Sequence, residues 1–308
     1  MAYKEPPTMP ARTIQKGTPM VSGFGRMNRG YKIGKRSLGV LGANPTLLVF
    51  PVVSAILSLG VLGLAAGVFV GGESYLSYLS THLADLLGVS SEKGTLYLGV
   101  IALFIAYFIL AAITTFFTSA LTFCAASYFT KQSVSFRAGM AAAWRARRKI
   151  LVWALASATV GIGLRLIEER FEGAGDIAAA LFGVAWNAMT FFIVPVLVLD
   201  EGVTVRGMFE QSAETLKEKW GESAGSMGIG LIILLAAVVP VLAILGLAFL
   251  GVFPSVLVWV MLVAAVIAIA VLVMQTVGAI ARTALYIDAR TGMAVEEFAD
   301  LNSREVMA

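Results

Sequence analysis

The chain holds one histidine, His82, and one cysteine, Cys124. A protein metal site needs several His, Cys or carboxylate ligands converging on one point. A nucleophile needs a base within hydrogen-bond reach. His82 falls in the stretch 75–87, where Leu76, Leu79, Leu83 and Leu86 recur at helical spacing; this reads as a short surface helix carrying an exposed histidine. Cys124 lies inside an apolar run, where a free cysteine behaves as a small hydrophobe. Being alone, it excludes a disulfide within the chain. The glycine-rich stretch 221–230 lacks the Lys-Ser/Thr ending of a phosphate-binding loop and leads into an apolar run. No catalytic residue, cofactor site or metal site is assigned, and the expectation is a protein that is not an enzyme.

Polar side chains inside apolar runs are the better candidates, because lipid offers them no partner. Asn187 stands near the middle of its run, on one face with Ala179 and Gly183. Thr115, Ser119 and Thr122 line one side of another run, with Thr118 adjacent. Gln275 and Arg282, seven residues apart, share a face of the last run. Arg165 lies near the end of its run, one turn before Glu168 and Glu169. Asn187, Gln275, Thr115, Ser119 and Thr122 form the candidate intramembrane polar site. Each residue type also has a structural use. Asn and Gln bridge helices, Ser and Thr return a bond to their own helix, and an arginine near a span end reaches the surface. The small neighbours of Asn187 mark a helix–helix seam, so it is expected to be interior and paired. No carboxylate lies at mid-run, which argues against a proton-coupled carrier.

Six apolar runs must position these residues, at about 45–70, 96–129, 150–168, 177–199, 224–250 and 255–287. About 20 apolar residues suffice to cross a hydrocarbon core as a helix. The chain is 58% hydrophobic and 14% charged, more apolar surface than a soluble domain of 308 residues hides. The predicted fold class is all-α, a polytopic membrane helical bundle of six transmembrane helices. The predicted organisation is a disordered tail at 1–22, the membrane domain at 23–292 and a short acidic tail at 293–308. Residues 1–22 are polar and Pro-punctuated, unlike a signal peptide.

Charge sets the expected orientation. Twenty of the twenty-three Lys and Arg residues fall on one side of the six-run pattern; only Lys93, Arg165 and Arg170 fall on the other. The positive-inside rule puts the basic side, with both termini, in the cytoplasm of a cell membrane. Clustered cations beside span ends suit anionic lipid headgroups rather than nucleic acid. Arg26, Arg29, Lys32, Lys35, Arg36, Arg145, Arg147, Arg148 and Lys149 are the expected headgroup contacts. Gly63, Gly67 and Gly71 make a small-residue stripe for helix packing or self-association.

The chain also reads as three copies of one unit, an amphipathic helix followed by two spans. The helices fall at about 24–42, 135–149 and 204–221. Val205, Met208, Phe209, Ser212, Leu216 and Trp220 share a face of the third. Phe24, Met27, Tyr31, Leu38 and Leu41 make a looser stripe on the first, weakened by Gly30, Gly34 and Gly39. These apolar faces are expected to lie in the membrane interface. Ser135 and Thr204 stand at N-cap positions. The even spans end alike, in Tyr128-Phe129-Thr130, Val198-Leu199-Asp200 and Tyr286-Ile287-Asp288. Pro240 should kink the fifth helix.

Several stretches carry a resemblance: Arg36-Ser37-Leu38 with Asn44-Pro45, the run Val194-Pro195 to Glu201-Gly202, Gln211-Ser212-Ala213 leading to Lys219-Trp220-Gly221, and Ala284-Leu285-Tyr286 to Ala289-Arg290. Together they resemble prokaryotic six-span membrane proteins of uncharacterised function, distantly similar to the membrane domain that precedes some glycerophosphodiester phosphodiesterases. The resemblance implies a six-span membrane fold. It implies no phosphodiesterase activity, because this chain has no soluble phosphodiesterase domain. The expected function is to organise, scaffold or assemble partners at the cytoplasmic membrane. The alternative is a carrier or channel for a lipid or small solute, with Asn187, Gln275 and the threonine face lining its path. Expected partners are anionic lipids and a protein partner or a second copy of the chain, with no nucleic acid and no cofactor.

Overall fold

The computed structural model describes residues 23–130, 134–170, 174–200, 202–250 and 255–292; the tails expected at 1–22 and 293–308 lie outside the described residues. Among the described residues every regular element is helical. Helix α1 (Gly23–Ala43) is joined by the 3-10 turn Pro45–Leu48 to α2 (Val49–Gly71), α3 (Glu73–Leu87) and α4 (Ser91–Phe129). Then follow α5 (Phe136–Arg145), α6 (Arg147–Arg170), α7 (Ala174–Met189), α8 (Ile193–Leu199), α9 (Val205–Glu218), α10 (Trp220–Phe249) and α11 (Val256–Thr291). Six segments are long and apolar enough to cross a membrane: Pro45–Val68, Ser91–Phe129, Arg147–Ile167, Ile177–Leu199, Trp220–Phe249 and Val256–Thr291. They coincide with the six apolar runs. Helix α10 continues through Pro240.

The bundle is packed at one end and open at the other. Phe50, Leu121, Phe192, Met208, Ile280 and Tyr286 are fully buried where α1, α5 and α9 gather with the adjoining ends of the spans. We call this the basic end. Toward the opposite end Leu64, Val70, Val239, Phe249, Val256 and Met261 are all exposed. Lipid tails are as apolar as Leu, so nothing drives such side chains together within a membrane.

The short helices at the basic end pack on protein. Helix α5 lies on α4, α9 on α7 and α8, and α1 on α10 and α11. Met208, Ser212, Thr215 and Leu216 of α9 are buried, and Phe209 meets the stacked rings of Trp153 and Trp186 at 5.8 and 6.0 Å. Most of the face expected in the membrane interface is therefore turned into the bundle, leaving Val205 and Trp220 exposed. Thr204 caps α9 by accepting from Gly207 N–H at 3.1 Å. Ser135 makes no side-chain cap on α5.

Helix α1 turns another face into the bundle and leaves most of its apolar stripe on the outside. Gly30, Ile33, Gly34, Ser37, Val40 and Leu41 are buried, while Phe24, Met27, Tyr31 and Leu38 are exposed. A Cβ on Gly30 would overlap the Glu222 carbonyl, and one on Gly225 would overlap the Met27 carbonyl. Gly34 likewise sits against Ile229, and Gly221 against Arg26. Two of the three glycines that weaken the apolar stripe of α1, Gly30 and Gly34, are thus its contact surface, fitting Gly221 and Gly225 of α10, while Gly39 meets nothing within 4 Å. The stripe Gly63, Gly67 and Gly71 meets nothing within 4 Å, so it packs against no other part of the described chain.

The fourth span is broken between α7 and α8. Pro195 has no N–H to continue the ladder toward Phe191, and residues 190–192 form a turn. Buried in the bundle, the freed Phe192 N–H donates to Ser212 Oγ of α9 at 3.1 Å. Helix α9 thus satisfies a backbone group that the bundle interior would otherwise leave unpaired.

Gly225→Ala should lower the stability of the purified chain in detergent by about 1–3 kcal/mol, the usual cost of overpacking a tight contact. Gly63→Ala, with open space around its Cβ, should be neutral or gain up to about 1 kcal/mol of helix propensity. Thermal unfolding of the two variants checks this order.

Candidate functional site

At the basic end, polar side chains from widely separated segments converge on two carboxylates. Asp200, just after α8, accepts from Arg290 Nη2 at 2.9 Å, from the Tyr286 hydroxyl at 2.9 Å and from the Gln211 amide. Its main-chain carbonyl accepts from Lys149 Nζ at 2.8 Å. Asp288 on α11 pairs with Lys219 Nζ at 2.7 Å and Arg29 Nη2 at 3.5 Å. Nearby, Arg26 donates to the Glu218 carbonyl at 2.6 Å and to the buried Glu222 carboxylate at 3.4 Å. Asp200 and Asp288 are the residues that end the fourth and sixth runs in the repeated pattern. The regularity visible in the sequence marks where the cationic helices attach.

Further into the bundle, α2, α4, α8 and α11 line a half-open cavity of about 220 Å³ with polar groups set among apolar walls. Ser54 comes from α2, Thr114, Thr115 and Thr118 from α4, and Gln275 and Arg282 from α11; Phe117 and Leu121 add apolar wall. Thr114 and Thr118 spend their hydroxyl protons on the carbonyls four residues back, each at 2.7 Å. Arg282 uses Nε on the Gly278 carbonyl at 3.1 Å and lies over the Phe191 ring at 5.5 Å. No described carboxylate pairs with it. Thr115 and Gln275, expected in one polar site, and Arg282, expected on the face of Gln275, therefore line one cavity. Ser54 joins them, and the search for polar residues within apolar runs already contained the signal that finds it.

The remaining candidates go elsewhere. Ser119 and Thr122 are buried in the α4 packing core, outside the cavity lining, and Ser119 Oγ has no hydrogen-bond partner there. Asn187 is exposed, not interior. Its amide donates to the Gly183 carbonyl of its own helix at 2.9 Å; of its small neighbours Ala179 is buried and Gly183 half-buried, so the contact they mark does not reach Asn187. Among the expected headgroup contacts, Arg26, Arg29 and Lys149 are engaged by the protein, through Glu222, Asp288 and the Asp200 carbonyl. Arg36 is partly buried, whereas Lys32, Lys35, Arg145, Arg147 and Arg148 are exposed. Arg147 covers the Trp144 ring at 5.3 Å. His82 packs edge-on against Tyr78 at 4.3 Å on α3. Among the described residues no group of three His, Cys, Asp or Glu could hold a metal ion.

At the opposite end, α2 and α4 diverge around a largely apolar cleft of about 1370 Å³. Leu62, Ala65, Gly99, Ala102 and Ala106 lie along its walls, while Glu92, Lys93 and Arg165 also line it. This cleft and the cavity at the basic end are two spaces among the described residues able to receive another molecule.

Because Asn187 bonds to its own helix and faces outward, Asn187→Leu should raise the melting temperature in detergent. Leucine exchanges a polar group on an apolar surface for a better helix former. A lower melting temperature would restore the interior placement.

No curated protein and no solved structure matches the chain. A family match covers residues 97–296, from the first turns of α4 to beyond the end of α11, well over half of the chain. It takes in the packed ends of α4, α8 and α11, both carboxylates and most of the cavity wall, and leaves out α1 and α2. On that match the chain belongs to the family of unknown function DUF6159.

Proposed function

We propose that this protein is a non-enzymatic integral membrane protein that organises partners within the bilayer. One observation carries the reading: the six spans pack most densely at the basic end, and the apolar cleft between α2 and α4 stands open toward the other. The proposed occupant is a transmembrane helix of a partner protein. Ala65, Gly99, Ala102 and Ala106 would let its backbone approach closely, and the charges of Glu92 and Lys93 would meet its polar flank. The knotted basic end serves as the rigid base. In this reading the three short helices with their following spans are copies of one unit. The distant likeness to the membrane domain preceding some glycerophosphodiester phosphodiesterases fits a membrane module without chemistry of its own.

The proposed setting is a cell membrane, with the basic end cytoplasmic and the exposed Lys32, Lys35, Arg145, Arg147 and Arg148 against anionic headgroups. In a Cys124→Ala background, Ser77→Cys should react with an impermeant thiol reagent from outside intact cells and Arg206→Cys should not. The reverse pattern would invert the orientation.

A second reading, a carrier for a lipid or small solute, is favoured by the polar cavity at the other end of the bundle. A photo-crosslinking amino acid at Leu103 separates the two in living cells. The organiser reading expects one discrete protein adduct, absent when the probe stands at Val239 on the open face of α10. Lipid adducts alone at Leu103 would overturn it in favour of the carrier.

A further inference from the structure

We infer that the cavity between α2, α4 and α11 is a phosphate-binding site. The inference stands apart from the proposed function, since it concerns a different space and requires no protein partner.

The chemistry of the walls points to an anion. Arg282 brings a positive charge, and no carboxylate lines the cavity. An arginine held within the span region is expected to face a partner. Among the described residues Arg282 has a backbone bond through Nε and an aromatic face, which leave its two terminal amino groups without a hydrogen bond. Ser54 Oγ and Thr115 Oγ1 also make no hydrogen bond with described residues, although both are nearly buried at 7% and 6% exposure; the Gln275 amide, on an exposed side chain at the cavity edge, makes none either. Buried polar groups are ordinarily paired. Here four donor side chains from three helices border one small space and none has satisfied another. An arginine fork binds two oxygens of one anion in parallel, and hydroxyl and amide donors on other walls would reach further oxygens. A tetrahedral phosphate presents oxygens in those several directions, whereas a planar carboxylate presents two in one plane.

Size and depth agree. At roughly 30 Å³ per water in the liquid, about 220 Å³ admits a phosphate group with a few waters or a few attached carbons, not a large organic anion. Along α11, Gln275 lies ~29 Å and Arg282 ~39 Å from Val256, at about 1.5 Å per residue. A hydrocarbon core is about 30 Å thick. With Val256 at one edge of that core, the cavity falls at the other edge, where the phosphates of the second leaflet lie. The phosphate could belong to a phospholipid headgroup or come free from solution; the donors are the same for both.

The test uses the full chain purified in lipid-free maltoside micelles. One arm adds inorganic phosphate, against potassium chloride and potassium acetate at equal ionic strength, and reads the melting temperature. The other adds phosphatidylglycerol and counts retained lipid by native mass spectrometry. Saturable stabilisation by phosphate beyond both controls, or retention of a single phospholipid, is expected; the responding arm identifies the source. Arg282→Gln should weaken the response at least tenfold. Thr115→Val with Gln275→Leu keeps the charge but removes two donors and should weaken it several-fold, so the decision survives if Arg282→Gln does not fold. No response in either arm, an equal response to acetate, or variants that bind like the parent protein would each overturn the assignment.

Discussion

Two carboxylates at the basic end, Asp200 and Asp288, hold the assembly together. Each lies where a span finishes, and each is met by cations from segments far away in sequence. Asp288 gathers Arg29 from α1 and Lys219 from the α9–α10 junction. Asp200 gathers Arg290 and Tyr286 from α11, Gln211 from α9 and, through its carbonyl, Lys149 from α6. Lipid supplies no drive for apolar helices to associate. Directional polar contacts and close backbone packing must therefore specify which helices are neighbours, and both are concentrated at this end.

The glycine seam between α1 and α10 is the second specifying contact. Gly30 and Gly34 on one helix meet Glu222 and Ile229, while Gly221 and Gly225 on the other meet Arg26 and Met27. The backbones come too close for side chains at these positions, so the register of the two helices is fixed by shape. Arg26 then reaches the Glu218 carbonyl and the Glu222 carboxylate across the same seam. Ser212 extends the logic to a break in the backbone. The turn upstream of Pro195 frees the Phe192 N–H, and a side chain of α9 receives it. Helix α9 is tied at once to the broken span, to the Trp153–Trp186 pair and to Asp200. It is a structural member of the bundle as much as a surface helix.

A fixed end and a loose end follow from one cause. The converging polar groups and the close-packed glycines Gly30, Gly34, Gly139, Gly221 and Gly225 lie toward the basic end, and packing is dense there. Beyond them the spans carry little but Leu, Val, Ile, Ala and Gly, and they separate. The polar cavity sits next to the packed region, where the surrounding helices are held firmly enough to keep unpaired donors in place. The apolar cleft sits in the loose region, its walls largely apolar, with Glu92, Lys93 and Arg165 also lining it.

Sequence alone determined the number of spans, their limits and the end at which charge collects, because these depend only on runs and counts along the chain. It also showed Asp200 and Asp288 as recurring marks, and it named Thr115, Gln275 and Arg282 as polar groups inside apolar runs. Helical periodicity says which residues share a face but not what that face meets. Asn187 has the small neighbours of a seam and is itself exposed; Gly63, Gly67 and Gly71 have the pattern and meet nothing; Gly30 and Gly34 read as defects and form the tightest contact. Only the tertiary structure decided these cases. The partner of each lies on another helix, up to about two hundred residues away, and in a chain this uniformly apolar the choice among helices rests on a few charges and glycines whose meeting no local pattern records.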